Sequence, residues 1–532
     1  MNQFKSWFAS ALSGFFLVAC LPKLNLHFLV LIAILPLLLV LAGETSPWRA
    51  FAWAYLSGAI FLGGSCYWFV GVTRQYGGLS LSLALVALLA FVAVFSAFFG
   101  AFGLVVGWVA RRSPALALLL SPFLWVAMEM ARTYLITGFP WDLLGYGVPF
   151  AGLRQIACVT GVYGLSFLAA TTSALWAWAF LRRRSRWPGL ALVVWVALLV
   201  IGNWALAPPA PTKGPNLALL VQPDVPLDEA SATIWAPWLN PSKLDQLVNM
   251  SLDALAEQVR SEGIASNEKG PQHIVAPPVI IWAENPAPFY FTRDRVFRSA
   301  VEKMARQAGA YVVVNTVVPL GQGPSEITNS AVVLDPTGRE ILQYDKMHLV
   351  PFGEYVPGWA FPEKIGKITA EVGTFVPGTS YRVAPTPDGT IGIFICYEDI
   401  FPQLVRRIVL SGATVLVNIC NDAWYGDSAA AFQHLEMARL RAIENRRYLL
   451  RATNDGITAL IDPYGRVEKQ IPRHQSMVLP AYFSYYAGQT FYTRRGDVFA
   501  WLCMALAAAI VLVGALLFRA EREIPLRSAH RQ

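Results

Sequence analysis

A cysteine followed by two acidic residues ends an apolar, β-branched run in the stretch GTIGIFICYEDIFPQLV, residues 389–405. The run predicts a buried strand that stops at Cys396, and Glu398 and Asp399 follow within three residues. Neighbouring carboxylates raise the pKa of a thiol and weaken it as a nucleophile. Cys396 is therefore either a structural cysteine at a strand end or a nucleophile that a cationic group elsewhere in the chain activates.

Two kinds of partner are available to activate this thiol. His348 and His434 are candidate bases for a cysteine–histidine pair. The alternative is Glu284, a carboxylate at the end of the apolar run VIIWA, together with Lys346. That carboxylate would take the thiol proton, and the ammonium group would stabilise the thiolate and then an oxyanion. The spacing of these residues alone does not decide between the two pairs. A third possibility is that Glu284 and Lys346 only form a salt bridge and that Cys396 is an inert, packed side chain.

Three ordered sequence blocks carry these residues, and they resemble the signature blocks of the nitrilase superfamily. The blocks are VIIWAENPAP around Glu284, YDKMHLVPFGEYVP around Lys346 and GIFICYEDIFP around Cys396. The flanking stretches GFPWDLLGY, NDAWYGDS, QHLEMARLRAIE, LLRATNDGI and YTRRGD resemble the apolipoprotein N-acyltransferases in particular. This similarity extends over essentially the whole chain.

The resemblance implies a fold and a reaction. The fold is a multi-pass α-helical membrane domain plus an α/β nitrilase-like domain, an α-β-β-α sandwich, outside the cytoplasm. In the reaction, a fatty acyl chain moves from a phospholipid to the N-terminal α-amino group of a diacylglyceryl-cysteine apolipoprotein, the last step of lipoprotein maturation. By this resemblance Cys396 is the nucleophile that carries the acyl chain as a thioester, Glu284 is the general base, and Lys346 stabilises the oxyanion.

The resemblance also assigns residues around the three reacting groups. Glu354 in PFGEY, Tyr397 and Glu398 match positions that support the active site. Trp141 in GFPW and Trp238 in APWLNP correspond to tryptophans linked to activity. We therefore expect the first three residues near the triad and the two tryptophans in contact with substrate.

A long connection rich in glycine, proline and aromatic residues, residues 355–378, joins two of the blocks. A loop of this length inside a compact domain is usually functional, for example as a lid. Trp359 and Phe361 within it have the side chains that favour a lipid interface. We expect either a loop that dips into the bilayer and gates acyl-chain entry, or an ordinary structured insertion.

The composition is that of a membrane protein. Of the 532 residues, 55% are hydrophobic and 14% are charged, whereas about 25% of a soluble domain is charged. About 20 consecutive apolar residues cross a bilayer. The first run also resembles a lipoprotein signal ending at Cys20, but the runs that follow favour a first membrane helix. Eight spans are predicted, at 7–22, 27–43, 51–71, 80–110, 114–132, 160–181, 188–206 and 498–518.

The positive charges that flank these spans predict the topology. Arg111, Arg112, the cluster RRRSR at 182–186 and the arginines of the C-terminal tail lie on the side of the N-terminus, and the opposite short loops carry fewer. By the positive-inside rule both termini are cytoplasmic, and the domain between the last two spans is periplasmic in a bacterial inner membrane. The net charge of +8 comes largely from these arginines. We therefore expect no nucleic-acid partner, and we expect a monomer surrounded by membrane lipids.

The chain divides into three parts: a transmembrane domain at 1–207, a catalytic domain at 208–496, and a closing helix with its tail at 497–532. Near-continuous Val, Ile and Leu strands in the catalytic domain have both faces buried and predict an α/β fold. The strand candidates are 216–221, 279–283, 311–318, 330–335, 391–396, 414–419, 448–453 and 457–462; the helix candidates are 241–262, 292–308, 399–411 and 430–446.

Two other functions compete with acyl transfer. A membrane-tethered amidase or nitrile hydrolase would use the same triad with water as the acceptor. A transporter with an external binding domain would carry charges within its spans, of which Glu129 is the main candidate. The sequence has no HExxH motif, so neither a metal ion nor another cofactor is expected.

Overall fold

The computed structural model describes residues 2–225, 241–269, 276–284, 290–320, 326–357 and 374–528. The chain forms two compact units. The first combines Met1–Tyr67, Leu85–Pro208 and Arg495–Gln532, and the second combines Trp68–Ala84 with Pro209–Arg494. The short segment Trp68–Ala84 therefore belongs to the second unit, although it lies within the apolar N-terminal part of the sequence.

The N-terminal part of the chain is helical. Its helices are α1 (Gln3–Ala19), α2 (Leu35–Gly43), α3 (Pro47–Ser65), α4 (Phe69–Gln75), α5 (Leu81–Ala110), α6 (Pro114–Tyr134), α7 (Ala151–Arg154), α8 (Ala157–Thr160), α9 (Val162–Leu181) and α10 (Arg186–Ala205). The helices that follow are α11 (Pro241–Lys269), α12 (Arg295–Ala308), α13 (Pro402–Leu410), α14 (Ala430–Asn445), α15 (Phe491–Arg495) and α16 (Val498–Ser528).

Fewer helices than predicted are long and apolar enough to cross a membrane. In the described part of the chain they are α5, α6, α9, α10 and the first part of α16, with α3 and α4 counting as a sixth span only if taken together. Helix α1 has 17 residues. The run at 27–43 is divided into a 3₁₀ turn and α2, because Pro36 in the first turn of α2 favours a new helix start. Eight full spans were predicted, and five or six are observed by length and composition.

Charged residues inside the first unit organise one of its loops. The Glu129 carboxylate accepts hydrogen bonds from Trp125 Nε1 at 3.0 Å and from the backbone N–H of Leu144 at 2.8 Å. Arg132 Nη2 donates to the carbonyl oxygen of Trp141 at 3.0 Å. Glu129 and Arg132, both in α6, therefore fix the loop GFPWDLLGY by hydrogen bonds. Glu129 thus has a structural role.

The second unit contains two β-sheets. The strands are β1 (Asn216–Gln222), β2 (Val279–Trp282), β3 (Tyr311–Pro319), β4 (Glu326–Leu334), β5 (Glu340–Asp345), β6 (Thr374–Phe375), β7 (Val383–Pro385), β8 (Thr390–Ile395), β9 (Val415–Cys420), β10 (Leu449–Thr453), β11 (Thr458–Ile461), β12 (Val467–Ile471) and β13 (Met477–Phe483). One sheet has the order β13-β1-β2-β3-β4-β5, with β6 beside β4, and the other has the order β12-β11-β10-β9-β8-β7.

The two sheets lie face to face between layers of helices. Across the sheets, Thr453 Oγ1 hydrogen-bonds Gln222 Oε1 at 3.3 Å. Apolar residues of α11 and α12, such as Leu244 and Phe297, share a core with β1, β2 and β3. On the other side α13 packs on β8, where Gly392 leaves room for Ile408. This arrangement confirms the predicted α-β-β-α sandwich.

The segment Trp68–Ala84 packs against the turn that follows β9. The ring of Trp68 lies 5.0 Å from that of Tyr425, and the ring of Tyr76 lies 4.6 Å from that of Trp424. The Tyr76 hydroxyl also donates to the carbonyl oxygen of Ala423 at 3.4 Å. Aromatic contacts of this kind stabilise the association beyond the apolar area that they bury.

Candidate active site

Glu284, Lys346 and Cys396 converge from three strand ends of the second unit. Glu284 is the second residue after β2, and Lys346 and Cys396 come directly after β5 and β8. Lys346 Nζ lies 3.7 Å from Glu284 Oε1, and the Cys396 thiol lies near enough to the same carboxylate for each to shift the pKa of the other. The two charged groups come from one sheet and the thiol from the other, so the site exists only where the sheets meet.

The ammonium group of Lys346 is buried and held by a second carboxylate. Its Nζ donates to Glu354 Oε1 at 2.9 Å, and only 1% of the residue is exposed. Burial lowers the pKa of Lys346, but the charges of Glu354 and Glu284 outweigh burial and raise that pKa above its ordinary value. Lys346 therefore remains a cation beside the thiol, and Glu354 lies where the resemblance places a supporting acid.

Asn329, in β4, joins the two carboxylates that flank the lysine. Its Nδ2 donates to Glu284 Oε1 at 2.9 Å and to Glu354 Oε1 at 3.0 Å. Its Oδ1 accepts from Asn315 Nδ2 at 2.8 Å, which fixes the orientation of the amide. Asn329 was not predicted from the sequence, because the predicted strand at 330–335 begins one residue after it, whereas β4 begins at Glu326.

The protonation states suit transfer of a proton from sulfur to carboxylate. Burial raises the pKa of Glu284, which makes it a stronger base than an exposed carboxylate. The neighbouring Cys420 side chain lowers the pKa of the Cys396 thiol, but burial and the charge of Glu284 together raise that pKa above its ordinary value. In the resting site the thiol is therefore neutral, beside a carboxylate that can accept its proton.

Glu398 ties the segment of Lys346 to the turn of Cys396. Its carboxylate accepts from the backbone N–H groups of Met347 at 2.6 Å, His348 at 3.2 Å and Ile395 at 2.7 Å. The Tyr344 hydroxyl donates to it at 2.9 Å. Burial raises the pKa of Glu398 to about 7. One side chain thus fixes the backbone on both sides of the pocket, and it does so with oxygens turned away from the thiol.

The second acid beside the nucleophile is also turned to other partners. Asp399 Oδ2 lies 3.3 Å from Arg451 Nη1, and both residues are completely buried. Cys396 itself has a φ of +48°, in the left-handed region that costs a residue with a Cβ about 1–2 kcal/mol. The turn is therefore held in place by its surroundings, and its two acids serve that purpose.

The structure does not favour the histidines as bases for Cys396. Burial and the charge of Lys346 lower the pKa of His348 to about 4, and its ring stacks 3.7 Å from that of Phe401. His434 Nδ1 lies 2.9 Å from Asp422 Oδ1. Tyr397 is buried, with its ring 5.4 Å from that of Phe401, and it shapes the wall next to the nucleophile.

The described part of the chain does not test the roles of the aromatic residues predicted to bind substrate. Trp141 belongs to the first unit and is completely buried there, with its ring 6.2 Å from that of Phe139. Trp238, Trp359 and Phe361 lie outside the described residues. Roles in substrate binding and gating stay predictions for all four.

Two family models match the chain. The model "Apolipoprotein N-acyltransferase N-terminal domain" matches residues 13–175, and the model "Carbon-nitrogen hydrolase" matches residues 232–483. The second match includes Glu284, Lys346 and Cys396.

Curated relatives align with this chain over most of its length. A protein from Geobacter metallireducens named apolipoprotein N-acyltransferase is 36% identical over 528 residues, which is 97% of this chain and 96% of that relative. One of the same name from Methylococcus capsulatus is 32% identical over 483 residues, 88% of each chain. Among solved structures, an amidase from Nesterenkonia sp. is 19% identical with a TM-score of 0.35, covering 54% of this chain and 94% of its own.

Replacing Asn329 tests whether it braces the site. In Asn329→Ala, Glu284 and Glu354 lose their common donor, and Lys346 is no longer held beside the sulfur. We expect iodoacetamide to alkylate Cys396 roughly tenfold more slowly at neutral pH, since small misplacements at a reacting group cost rate. The measurement is the mass of the Cys396 peptide over time. Asn216→Ala, at the start of β1, is the matched control and should react like the unaltered protein; equal rates in both variants would contradict the bracing role.

The pKa of Glu398 predicts a pH dependence of stability. Between pH 4.5 and about 7 the folded protein keeps a proton on Glu398 that the unfolded chain releases. The free energy of unfolding should therefore fall as pH rises through this window, by at most on the order of 3 kcal/mol from this group. Thermal unfolding in detergent at pH 5 and pH 8 measures this slope. In Glu398→Gln the slope should flatten, whatever the absolute stability of the variant, and an unchanged slope would refute the assignment.

Proposed function

This chain belongs to the apolipoprotein N-acyltransferase family, and we propose that it transfers a fatty acyl chain from a phospholipid to the α-amino group of a diacylglyceryl-cysteine apolipoprotein. The observation that carries the proposal is the convergence of Glu284, Lys346 and Cys396 in a chain that matches one relative of that name over 97% of its length. The partners are thus a lipid donor and a lipoprotein acceptor.

The first half of the reaction forms an acyl-enzyme. Glu284 takes the proton of the Cys396 thiol, and the thiolate attacks the carbonyl carbon of a phospholipid ester. A C–S bond forms, and the oxyanion that develops is stabilised by the ammonium group of Lys346. When the intermediate collapses, the ester C–O bond breaks and the leaving oxygen takes the proton from Glu284. A lysophospholipid departs, and the acyl chain remains as a thioester.

The second half transfers the chain to the acceptor. The α-amino group of the apolipoprotein attacks the thioester carbonyl, and Glu284 accepts a proton from the attacking nitrogen. An amide C–N bond forms as the C–S bond breaks, and the thiolate of Cys396 recovers the proton from Glu284. One covalent intermediate therefore serves two substrates in turn, which is a ping-pong course.

The surrounding residues act through these three groups. Glu354 fixes Lys346 by its hydrogen bond at 2.9 Å, and Glu398 fixes the backbone on both sides of the pocket. Tyr397 supports the wall beside the nucleophile. These are positioning roles, and none of the three needs to exchange a proton with substrate.

An amidase or nitrile hydrolase remains the second candidate, because it would use the same triad with water as the acceptor. The match of the first unit to the acyltransferase N-terminal model favours acyl transfer. A hydrolase would release ammonia from amides and would need no phospholipid, so the two activities are separable by their products.

We also propose a bacterial inner-membrane location with both termini in the cytoplasm and residues 208–496 in the periplasm, for a monomer without metal or other cofactor. The flanking arginines support this topology. Alkaline phosphatase, which is active only in the periplasm, should be active when fused after Lys213 and inactive when fused after Gln532. The reverse pattern would place the catalytic unit in the cytoplasm and defeat the proposal.

Mass spectrometry of the protein after incubation with phospholipid tests the nucleophile and the donor together. We expect the mass of one acyl chain on the Cys396 peptide, and hydroxylamine should remove it, because it cleaves thioesters. Cys396→Ala should remain folded and stay unacylated. Acylation at another residue, or ammonia release from amides without any acyl-enzyme from phospholipid, would contradict the proposed function.

A further inference from the structure

A small cavity lies inside the first unit, between α6 and the loop GFPWDLLGY. Its wall combines apolar side chains of α1, α3 and α5 with three charged side chains, Glu129 and Arg132 from α6 and Asp142 from the loop. No residue of this wall is more than 3% exposed. A molecule in the cavity would therefore be enclosed by protein and separated from lipid and from bulk water.

Each of the three charged side chains has at least one atom without a hydrogen-bond partner among the described residues. These atoms are Nε and Nη1 of Arg132, Oε2 of Glu129 and Oδ2 of Asp142, and all of them are buried. Other atoms of two of these side chains are paired, since Arg132 Nη2 donates to the carbonyl oxygen of Trp141 and Glu129 Oε1 accepts from the N–H of Leu144. Polar atoms left unpaired in a protein interior are costly, and charged ones most of all. The four atoms therefore point to a ligand that pairs with them.

The hydrogen-bonding characters of these atoms are complementary to those of water. The two carboxylate oxygens accept, and the guanidinium nitrogens donate. A water molecule offers two O–H groups to the carboxylates and a lone pair to the guanidinium group, and buried waters typically make about three hydrogen bonds. The cavity provides a volume of about 10 Å³ for the centre of such a molecule, close to the least that one buried water needs. The site thus matches a single water molecule in size and in bonding.

The charges of the wall disfavour an ion in this cavity. The guanidinium group of Arg132 repels a cation, and the carboxylates of Glu129 and Asp142 repel an anion. Such repulsions are strong in an interior of low dielectric. A lipid headgroup is too large for the volume. A small neutral molecule that is both a donor and an acceptor satisfies all three side chains at once.

We propose that one water molecule is bound in this cavity, where it donates to Glu129 Oε2 and Asp142 Oδ2 and accepts from the guanidinium group of Arg132. The water connects α6 with the loop that carries Trp141, and it adds to the direct hydrogen bond from Arg132 to that loop. No step of acyl transfer uses these charged residues, so the inference does not depend on the proposed function.

X-ray footprinting of the full-length protein in detergent tests for this water. X-rays split a bound water molecule in place, and the hydroxyl radical oxidises the side chain next to it. Trp125 lines the cavity and is 2% exposed. Trp282, in the core of the second unit, is the matched control, because it is also 2% exposed and donates its Nε1–H to Ser251 at 3.0 Å, as Trp125 does to Glu129. We expect the Trp125 peptide to gain the mass of one oxygen atom several-fold faster than the Trp282 peptide.

A larger side chain at Cys20, which also lines the cavity, distinguishes a bound water from solvent that leaks in. In Cys20→Leu the added atoms fill the cavity, so the oxidation of Trp125 should slow to the rate of Trp282. Cys158→Leu, in α8 of the same unit, changes a residue outside the wall and should leave the fast oxidation of Trp125 as it is.

Equally slow oxidation of Trp125 and Trp282 in the unaltered protein would overturn the proposal, since an ion or a dry cavity gives that result. Fast oxidation of Trp125 that persists in a folded Cys20→Leu protein would overturn it too, because solvent would then reach the ring by another route. If Cys20→Leu does not fold, the comparison of the two tryptophans in the unaltered protein decides alone.

Discussion

A lysine buried between two glutamates is the interaction on which the rest of the site depends. Lys346 is 1% exposed and lies 2.9 Å from Glu354 and 3.7 Å from Glu284. Removing one partner from such a buried group costs about 3–5 kcal/mol, because the remaining charge is left unpaired. The ammonium group is therefore fixed in place before any substrate arrives, and reorganisation during the reaction is small.

This arrangement also keeps the charge of the site constant when the nucleophile forms. The proton that leaves Cys396 goes to Glu284, so one negative charge moves from oxygen to sulfur beside the same ammonium group. No additional charge has to be buried, which would be costly in an interior of low dielectric. Asn329 contributes by holding both carboxylates through one amide. The raised pKa of the thiol is thereby compatible with nucleophilic chemistry.

The architecture matters because the triad is divided between two sheets. Glu284 and Lys346 extend from one sheet and Cys396 from the other, so their distances depend on how the sheets pack. Glu398 supplies a direct link, accepting from peptide N–H groups next to Lys346 and next to Cys396. Arg451 supports the turn of the nucleophile from within its own sheet, through its ion pair with Asp399. Glu398 and Asp399 are the two acids that made a thiol at this position look unreactive in the sequence.

Most central strands were predictable because buried parallel strands are continuous apolar runs. Polar residues at strand ends made Glu284 and Cys396 candidates, but the choice of Glu284 and Lys346 over the histidines came from the resemblance to the nitrilase superfamily. The edge strand β12, VEKQI, was missed because its exposed side chains break that pattern. Asn329 was missed because β4 starts four residues earlier than its apolar run. Among the described residues, five or six helices instead of eight have the length and composition of a span, because α1 has 17 residues and Pro36 starts a new helix within the run at 27–43. Packing of Trp68 on Tyr425 joins residues far apart in sequence, and no local pattern marks it.

The central claim is that the ammonium group of Lys346 stabilises the Cys396 thiolate. The most direct measurement is the pH dependence of Cys396 alkylation in Lys346→Met compared with the unaltered protein. The account predicts that the apparent pKa of Cys396 rises by more than about one unit when the cation is lost, since a neighbouring opposite charge shifts a pKa by about 1–3 units. An unchanged pKa would mean that Lys346 does not act on the sulfur, and it would contradict the account.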